Sequence, residues 1–405
     1  MSLNGNRKRL QRCCFGALAI VFRLMGCLGQ RWALDRKVTL LDLAAALGVS
    51  TGTVHRALHN HSGVNALTKT RVVQMAKSMG YRPNLAARYL SSRKQILVSV
   101  NTLKGTTSFW DDVRAGIQSE AQSLTMGRAQ LEFRTYPQLG EGEQEAFEEA
   151  LNSGAKGIII FPSRAKQMGK CMRRAMRSHV PVVCVATDAP GTGRLAVVSI
   201  DTKVSGSLAG DLLGRLLHGK GKVAVTLSDL DVNEHAEKCE AFEETLKRYH
   251  PGMQLVETIE EHDIEAEAYD KSRKLFLEHP DLAAVYVTTE ASIPVIQAAR
   301  DTGILPRLAI VATDIFPALV EHIRAGSVLA TIYQRPYTQG RMAFRVLYEF
   351  LVEGSCPAYQ VTLAPHLVMR GNLDFFLQRQ SLESKTDKEG RLSIDAAELE
   401  GYSVG

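Results

Sequence analysis

The stretch VTLLDLAAALGVSTGTVHRAL, residues Val38–Leu58, decides the fold of the N-terminal part of the chain. Its first half has a T-x-x-D start and then apolar residues at i, i+3, i+4 and i+7, the pattern of one buried face of a short helix. Gly48 interrupts this helix, because glycine accepts the positive φ that a tight turn requires. Ser50 can cap a second helix, from Thr51 to about Leu58. Two short helices joined by such a turn predict a helix-turn-helix.

The following segment predicts a third helix and a short fourth one. The third runs from about Thr68 to Met79, with an apolar stripe and a terminating glycine. Pro83 prevents its continuation. The segment Asn84–Leu90 has room for only about two helical turns, and a helix that short is marginal in water. We therefore expect residues 84–90 to fold only when they are docked against a partner.

Charge is distributed unevenly along the 405 residues. The net charge is +6, but residues 36–94 carry ten lysines and arginines and a single acid, which gives +9. Residues 1–35 carry +5, so the rest of the chain carries −8. A basic head on an acidic body is typical of a nucleic-acid-binding module attached to a second domain. A solvated basic surface is the plainer alternative.

The quoted stretch, followed by YRPNLAARYL at Tyr81–Leu90, resembles the head and hinge of the LacI/GalR family. The family pattern is V-T-[ILM]-x-[DE]-[ILV]-A-x-x-x-G-V-S-x-x-T-V-S-R and then Y-x-P-N-x-x-A-x-x-L, in this order and at this spacing. His55 departs from the pattern, since the family usually has Ser there, and this leaves the operator sequence open. The resemblance implies a sequence-specific DNA-binding transcriptional regulator, with repression as the leading expectation and activation as the alternative.

The resemblance and the exposed side of the second helix together assign residues to DNA. Arg56 can donate two hydrogen bonds to guanine in the major groove, with a phosphate contact as its alternative. The resemblance implies that the hinge helices of a dimer pair in the minor groove, where Leu90 wedges a base step; packing against the body is its alternative. The predicted DNA-binding residues are Thr39, Ser50, Thr51, Gly52, Thr53, His55, Arg56, Asn84, Ala87 and Leu90.

Apolar runs of strand length alternate with amphipathic segments through the body. Ten strands are predicted, the first at Ile96–Val100, the fifth at Ala196–Ile200 and the last at Val328–Tyr333. Such alternation predicts parallel sheets covered by helices on both faces, and the length exceeds one comfortable core, which favours two lobes. The predicted fold class is a small all-α helix-turn-helix head plus an α/β body, and the body resembles a two-lobed type I periplasmic binding protein.

Ligands of open parallel sheets bind beyond the carboxyl ends of the strands, which in this fold is the cleft between the lobes. The resemblance implies sugar contacts at Phe109, Trp110, Asp188, Lys238, Thr289, Asp314 and Gln334. The aromatic rings can cover the apolar side of a sugar, and the carboxylate and amides can bind its hydroxyls. Ala186, Lys238 and Thr289 depart from the family's usual residues, so the ligand need not be a common hexose or pentose. Core packing, a solvated charge at Lys238 and loop capping at Asp314 and Gln334 are the structural alternatives.

The predicted domains are 1–35 as a leader, 36–82 as the helix-turn-helix, 83–94 as the hinge, 95–378 as the effector-binding body and 379–405 as a polar tail. The leader is expected to be disordered or to reflect a start site placed too far upstream. Its apolar run Cys13–Leu28 is interrupted by Arg23 and has no cleavage site, unlike a secretory signal. Seven cysteines without a CxxC pair favour a reduced cytosol over a disulfide framework.

These patterns together predict a cytoplasmic homodimer whose affinity for a double-stranded DNA operator is switched by a small effector, a sugar or polyol. No cofactor, metal or membrane partner is expected. An enzyme is not expected either, because the sequence has no GxSxG, HExxH or P-loop. The alternative function is a sugar-binding protein of a transport system, which the body alone would not exclude.

Overall fold

A computed structural model describes residues 40–58, 63–79, 95–104, 108–125, 128–354 and 357–378. The chain divides into two compact units, Met1–Leu85 and Ala86–Gly405. The predicted leader, hinge and tail lie outside the described residues. So do four of the predicted DNA contacts and the side chain of a fifth. These are Thr39, Asn84, Ala87 and Leu90, and the side chain of His55.

The head contains three helices, α1 Leu40–Leu47, α2 Thr51–Leu58 and α3 Ala66–Ser78. The turn between α1 and α2 has Gly48 at a φ of +65°, as the sequence predicts. Helix α3 begins two residues before its predicted start, because the Asn65 side chain caps it by accepting from the backbone N of Thr68 at 2.7 Å.

Two six-stranded sheets form the body, one in each lobe, and helices pack around them. The first sheet contains β1 Ile96–Leu103, β2 Ala129–Tyr136, β3 Gly157–Ile160, β4 Val182–Val185, β5 Ala196–Ile200 and β11 Gln360–Leu363. The second contains β6 Lys220–Leu227, β7 Gly252–Glu260, β8 Leu282–Val287, β9 Ala309–Thr313, β10 Ala330–Tyr333 and β12 His366–Val368. The helices are α4 Ser108–Thr125, α5 Glu143–Asn152, α6 Ala165–Arg177, α7 Thr202–Leu216, α8 Asn233–Tyr249, α9 Glu265–Glu278, α10 Ser292–Asp301, α11 Pro317–Ala325 and α12 Pro336–Glu353, with a 3₁₀ turn at Leu305–Arg307.

The strand orders are β11-β5-β4-β3-β1-β2 and β12-β10-β9-β8-β6-β7. All neighbours run parallel except β10 and β12. The central strands are buried on both faces, as β3 illustrates with every residue buried. This burial explains why they read as continuous apolar runs, the signature of parallel sheets that helices cover on both sides.

The chain crosses between the lobes three times. It passes from β5 into α7, which packs against α8 of the second lobe, and returns from β10 into α12, which packs against α4 of the first. The third crossing joins β11 to β12. The sequence did not predict these two strands, because they are four and three residues long and only partly buried. The crossings leave the carboxyl ends of both sheets beside one cleft.

Helices α4 and α12 approach so closely that both need glycine at the crossing. A Cβ built on Gly116 would lie 2.0 Å from the backbone oxygen of Tyr337, and one on Gly340 would lie 2.1 Å from that of Val113. Both obstacles are backbone atoms, which do not move aside as a flexible side chain does. The first lobe therefore depends on these two glycines.

The substitution Gly116→Ala is expected to lower the free energy of unfolding by about 1–3 kcal/mol, although alanine is the better helix former. Gly169→Ala in α6 is the matched control, since its Cβ would meet only the mobile end of Arg173 at 3.1 Å. Urea unfolding of both variants measures the difference. A Gly116 variant as stable as the control would contradict the close crossing.

Candidate functional site

The head presents one polar helix face above a small apolar core. Leu43, Val54 and Val72, one from each helix, are fully buried. The backbone N of Thr53 donates to the Ser50 Oγ at 3.1 Å, so Ser50 caps α2 as the sequence predicts. The capped helix turns its apolar side inward and leaves a polar side open.

The open side of α2 carries Thr51, Gly52 and Arg56, all exposed. An exposed arginine on the second helix of a helix-turn-helix is placed as base-reading side chains are. Gly52 has no side chain to project from this face. A Cβ built there would contact only the Ser50 hydroxyl, at 3.7 Å. The contacts that these residues make with DNA remain a prediction.

A cavity of about 240 Å³ lies among the strand ends of the two lobes. Its volume suits a ligand of monosaccharide size, below the usual range for larger ligands. Both lobes contribute side chains to its wall. Five of the seven predicted ligand contacts line it. They are Phe109, Trp110, Thr289, Asp314 and Gln334.

An aromatic wall closes the cavity on the side of the first lobe. Trp110 lies between two rings, with centroid distances of 4.8 Å to Phe109 and 4.5 Å to Phe161. All three residues are buried and line the cavity. Phe109 and Trp110, the two predicted contacts, also pack in the core of this lobe. Their predicted ligand role and the core alternative are therefore compatible. The third aromatic residue was not predicted.

A polar chain forms the opposite wall. The Gln334 Nε2 donates to Asp314 Oδ2 at 2.6 Å, and the Gln334 backbone N donates to Asp314 Oδ1 at 2.9 Å. The Lys238 Nζ donates to Gln334 Oε1 at 2.7 Å and to Glu234 Oε1 at 2.5 Å. Each residue thus fixes the orientation of the next one, and Asp314 and Gln334 reach the cavity surface.

The position of Asp314 follows from the backbone at the end of β9. Its φ is +64°, a left-handed conformation that Asp tolerates better than most residues. The backbone N of Asp314 donates to the Ile332 oxygen at 3.0 Å, and Thr331 Oγ1 donates to the Asp314 oxygen at 2.6 Å. The neighbouring strand therefore holds this turn. Burial raises the pKa of the Asp314 carboxyl to about 8, and the negative charge of Glu290 adds to the rise.

The segment after β8 adds three more polar residues. Thr289 Oγ1 donates to Glu261 Oε1 at 2.7 Å, which ties it to the segment after β7. Glu290 Oε1 accepts from Ser108 Oγ at 2.8 Å and from the Phe109 backbone N at 3.2 Å, which joins the two lobes. Thr288 Oγ1 is buried without a protein hydrogen-bond partner in the described part of the chain, although Thr288 lines the cavity. An unpaired buried hydroxyl suits a polar ligand.

Two predicted contacts do not line the cavity. Asp188 pairs with the buried guanidinium of Arg194, which also lies 3.7 Å from the centre of the Tyr359 ring. Lys238 lies behind Gln334, and its side chain is 1% exposed. The alternative that Lys238 is a solvated helix charge is therefore wrong, because its ammonium is held between two buried partners. Its contribution to the cavity is to orient Gln334.

Most of the charged residues of the cavity wall were not predicted from the sequence. They are Lys104, Glu234, His235, His262, Asp263 and Glu290. A signal was present, since four of them lie within three residues of the ends of β1, β7 and β8 and the other two lie in the first turn of the helix after β6. Only positions that match the family's sugar contacts were selected, and this choice excluded them.

One cluster beside the cavity has the composition of a metal site. Asp229, Glu260 and His262 each offer one ligand atom, all within 4.8 Å of one another. Protein donors already bind both carboxylates, since Asp229 pairs with Arg164 and Glu260 Oε2 accepts from the Leu230 backbone N at 2.9 Å. These bonds account for the cluster without an ion.

Comparison with known proteins agrees with this arrangement. Residues 97–355 match the family described as periplasmic binding protein domain, and residues 39–84 match bacterial regulatory proteins of the lacI family. Catabolite control protein A of Staphylococcus aureus is 26% identical over 340 residues, covering 82% of this chain and 98% of its own. The protein of the same name from Priestia megaterium is 26% identical over 342 residues, with coverage of 82% and 97%.

Several solved structures similar to the body are described as sugar-binding proteins. GanP, a glucose-galactose binding protein from Geobacillus stearothermophilus, has a TM-score of 0.65 at 22% identity, covering 69% of this chain and 99% of its own. A transporter solute-binding protein from Burkholderia graminis, in complex with D-arabinose, has a TM-score of 0.66 at 21% identity, with coverage of 70% and 98%. These likenesses establish the two-lobed fold that the sequence predicts.

The body is a periplasmic binding protein domain, since this match spans more than half of the chain. With its N-terminal helix-turn-helix, the chain belongs to the LacI family of bacterial regulatory proteins. The relatives are transcription regulators and binding proteins. Within the described residues, none of the helices is long and apolar enough to cross a membrane.

Proposed function

We propose that the chain is a cytoplasmic homodimeric repressor that binds an operator through its heads and a small sugar or polyol through its body. The supporting observation is the cavity between the lobes, where an aromatic wall faces the carboxylate of Asp314 and the amide of Gln334. Rings cover the apolar side of a sugar, and carboxylates and amides bind its hydroxyls. The head on the same chain favours a regulator over a transport protein.

The coupling between the two sites is assigned to residues 84–90. A single helix-turn-helix reads a half-site, so a two-fold dimer matches a palindromic operator. Asn84–Leu90 is too short to persist as an isolated helix, and its folding requires its twin and the minor groove. In this proposal, the effector closes the lobes and thereby changes the distance between the two hinges.

Leu90→Ala should then weaken operator binding and leave effector affinity intact.

Arg56→Ala tests the head most directly. If Arg56 reads a base, its loss should cost about 1–3 kcal/mol at the cognate operator, obtained by selection from random duplexes, and much less on random DNA. Fluorescence anisotropy at fixed salt measures both affinities. Arg71→Ala, an exposed arginine on α3, is the control. Equal loss on both DNAs would make Arg56 a phosphate contact, and no loss would remove it from the interface.

A further inference from the structure

We propose that the first lobe adds a second DNA contact to that of the head, in which a basic surface at the amino ends of its strands binds the phosphate backbone beside the operator. This contact goes beyond the proposed function, which assigns DNA binding to the head and hinge. The surface, named the basic end, consists of five exposed residues, Arg128, Lys156, Lys170, Arg173 and Arg177.

The topology of the first sheet brings these residues together. Its six strands run parallel, so their amino ends lie at one end of the lobe. Helices α5 and α6 each return the chain from the carboxyl end of one strand to the amino end of the next, so both helices finish at this end. Arg128 and Lys156 directly precede β2 and β3, whereas Arg173 and Arg177 lie near the end of α6. Three connections thus contribute cations to one end.

Helix α6 supplies most of this charge. Its 13 residues include five lysines and arginines and no acid, in a body that carries −8. The apolar side chains of Met168, Cys171 and Met172 are buried and explain the helix itself, because its charged residues then face solvent. A face that mixes both signs would be equally soluble, so a face of one sign favours a partner of the opposite sign.

The cations of the basic end are not neutralised by carboxylates. In the part of the chain that the structure describes, none of the five forms an ion pair with an acid. The acids of the neighbouring helix α5 pair with other residues, since Glu148 contacts Arg174 and Glu149 lies 3.9 Å from Arg134. The positive charge of the basic end is therefore available to a partner.

The order of the chain favours DNA as this partner. Strand β1 starts at Ile96, at the same end of the lobe, and the DNA-binding head precedes it. The start of β4, which follows α6, lies two strands from β1, roughly 10 Å at about 4.8 Å per strand. The chain between Ser78, the last residue of α3, and Ile96 spans at most about 65 Å when fully extended. Such a tether holds the basic end near a bound operator at a high effective concentration, so weak phosphate contacts add to affinity.

Positive charge also continues along the chain from the head to β1. Residues 83–94 contain Arg88, Arg93 and Lys94 and no acid. A separate acidic protein would bind the basic end without this continuity, whereas a duplex that leaves the head beside the body would meet both segments. Duplex DNA carries one negative charge per about 1.7 Å of its axis whatever its sequence, so the contact requires no base reading.

Operator duplexes of two lengths test this inference on the full-length protein. One is the selected operator trimmed to its half-sites, and the other adds about 10–20 base pairs of unrelated sequence, one to two helical turns, on each side. Fluorescence anisotropy at several salt concentrations measures both affinities. We expect the longer duplex to bind at least about threefold more tightly near 0.1 M salt, with a steeper dependence of affinity on salt.

The double variant Arg173→Gln with Arg177→Gln links this difference to the basic end. The longer duplex should lose its advantage, and the slope of log affinity against log salt should fall by about 1 for each phosphate contact removed. Affinity for the short duplex should stay within about twofold of the parent protein, because the heads are unchanged. Lys166→Gln is the matched control, an exposed cation at the opposite end of the same helix, and it should retain the full advantage.

Three results would overturn the second contact. They are equal affinity of the parent protein for the two duplexes, an equal loss on both duplexes in the double variant, and a double variant that behaves as Lys166→Gln does. The last result would leave the basic end to an acidic protein partner. Failure of the parent protein to bind either duplex would overturn the proposed function as well, so the two failures are distinguishable.

Discussion

Lys238→Met should destabilise the body by about 3–5 kcal/mol, because it breaks a buried ion pair. The substitution leaves Glu234 buried with an uncompensated charge and removes the donor to Gln334 Oε1. Removal of one partner of a buried ion pair costs more than the pair itself contributes, because the remaining ion stays desolvated. Urea unfolding of the full chain measures the loss.

The same helix provides the control. Lys247 pairs with Glu243 at the same spacing of four residues, but its side chain is 70% exposed. Lys247→Met should change the stability by less than about 1 kcal/mol. The double variant Lys238→Met with Glu234→Gln should recover part of the loss, because it removes the stranded charge. Equal stability of the Lys238 and Lys247 variants would contradict the buried chain of contacts.

Asp314→Ala should give the largest loss of effector affinity, about 1.5–3 kcal/mol or roughly 10- to 150-fold. The substitution removes two acceptor oxygens from the cavity and leaves Gln334 Nε2 without its partner. Trp110 lines the same cavity and should report binding through its fluorescence. The probe is the sugar or polyol that raises the melting temperature of the full-length protein most in a thermal-shift screen.

A carboxylate outside the cavity supplies the control for this measurement. Asp281 pairs with Lys222 at the surface and is 62% exposed. Asp281→Ala should bind the sugar with the affinity of the parent protein. If the Asp314 variant also retains full affinity, while melting as a folded protein, Asp314 does not contact the ligand and the cavity assignment fails.

The sequence predicted the fold well because its signals are local or periodic. Strand β5 has the predicted bounds, Ala196–Ile200, and other central strands differ from prediction by a few residues. These strands are buried on both faces, and strands buried in this way read as nearly continuous apolar runs. Strands β11 and β12 lack this signal, because they are short and only partly buried. They flank the last crossing between the lobes.

The cavity was predicted only in part. Asp314 and Gln334 were found because they follow strands and match a family pattern, whereas Glu290 was missed next to the predicted Thr289. Contacts such as Glu290 with Ser108 join residues 182 positions apart, and a single sequence does not reveal which distant partners meet. For the same reason the sequence placed Lys238 at the ligand, whereas the fold buries it behind Gln334.

In the proposed function, one chain couples a sugar site to an operator site. The measurement that tests it most directly is the affinity of the full-length protein for its selected operator, by fluorescence anisotropy, with and without saturating sugar. We predict that the sugar changes the operator dissociation constant at least about tenfold, and that Asp314→Ala abolishes this change. A sugar that binds the body and leaves operator affinity unaltered would contradict the account.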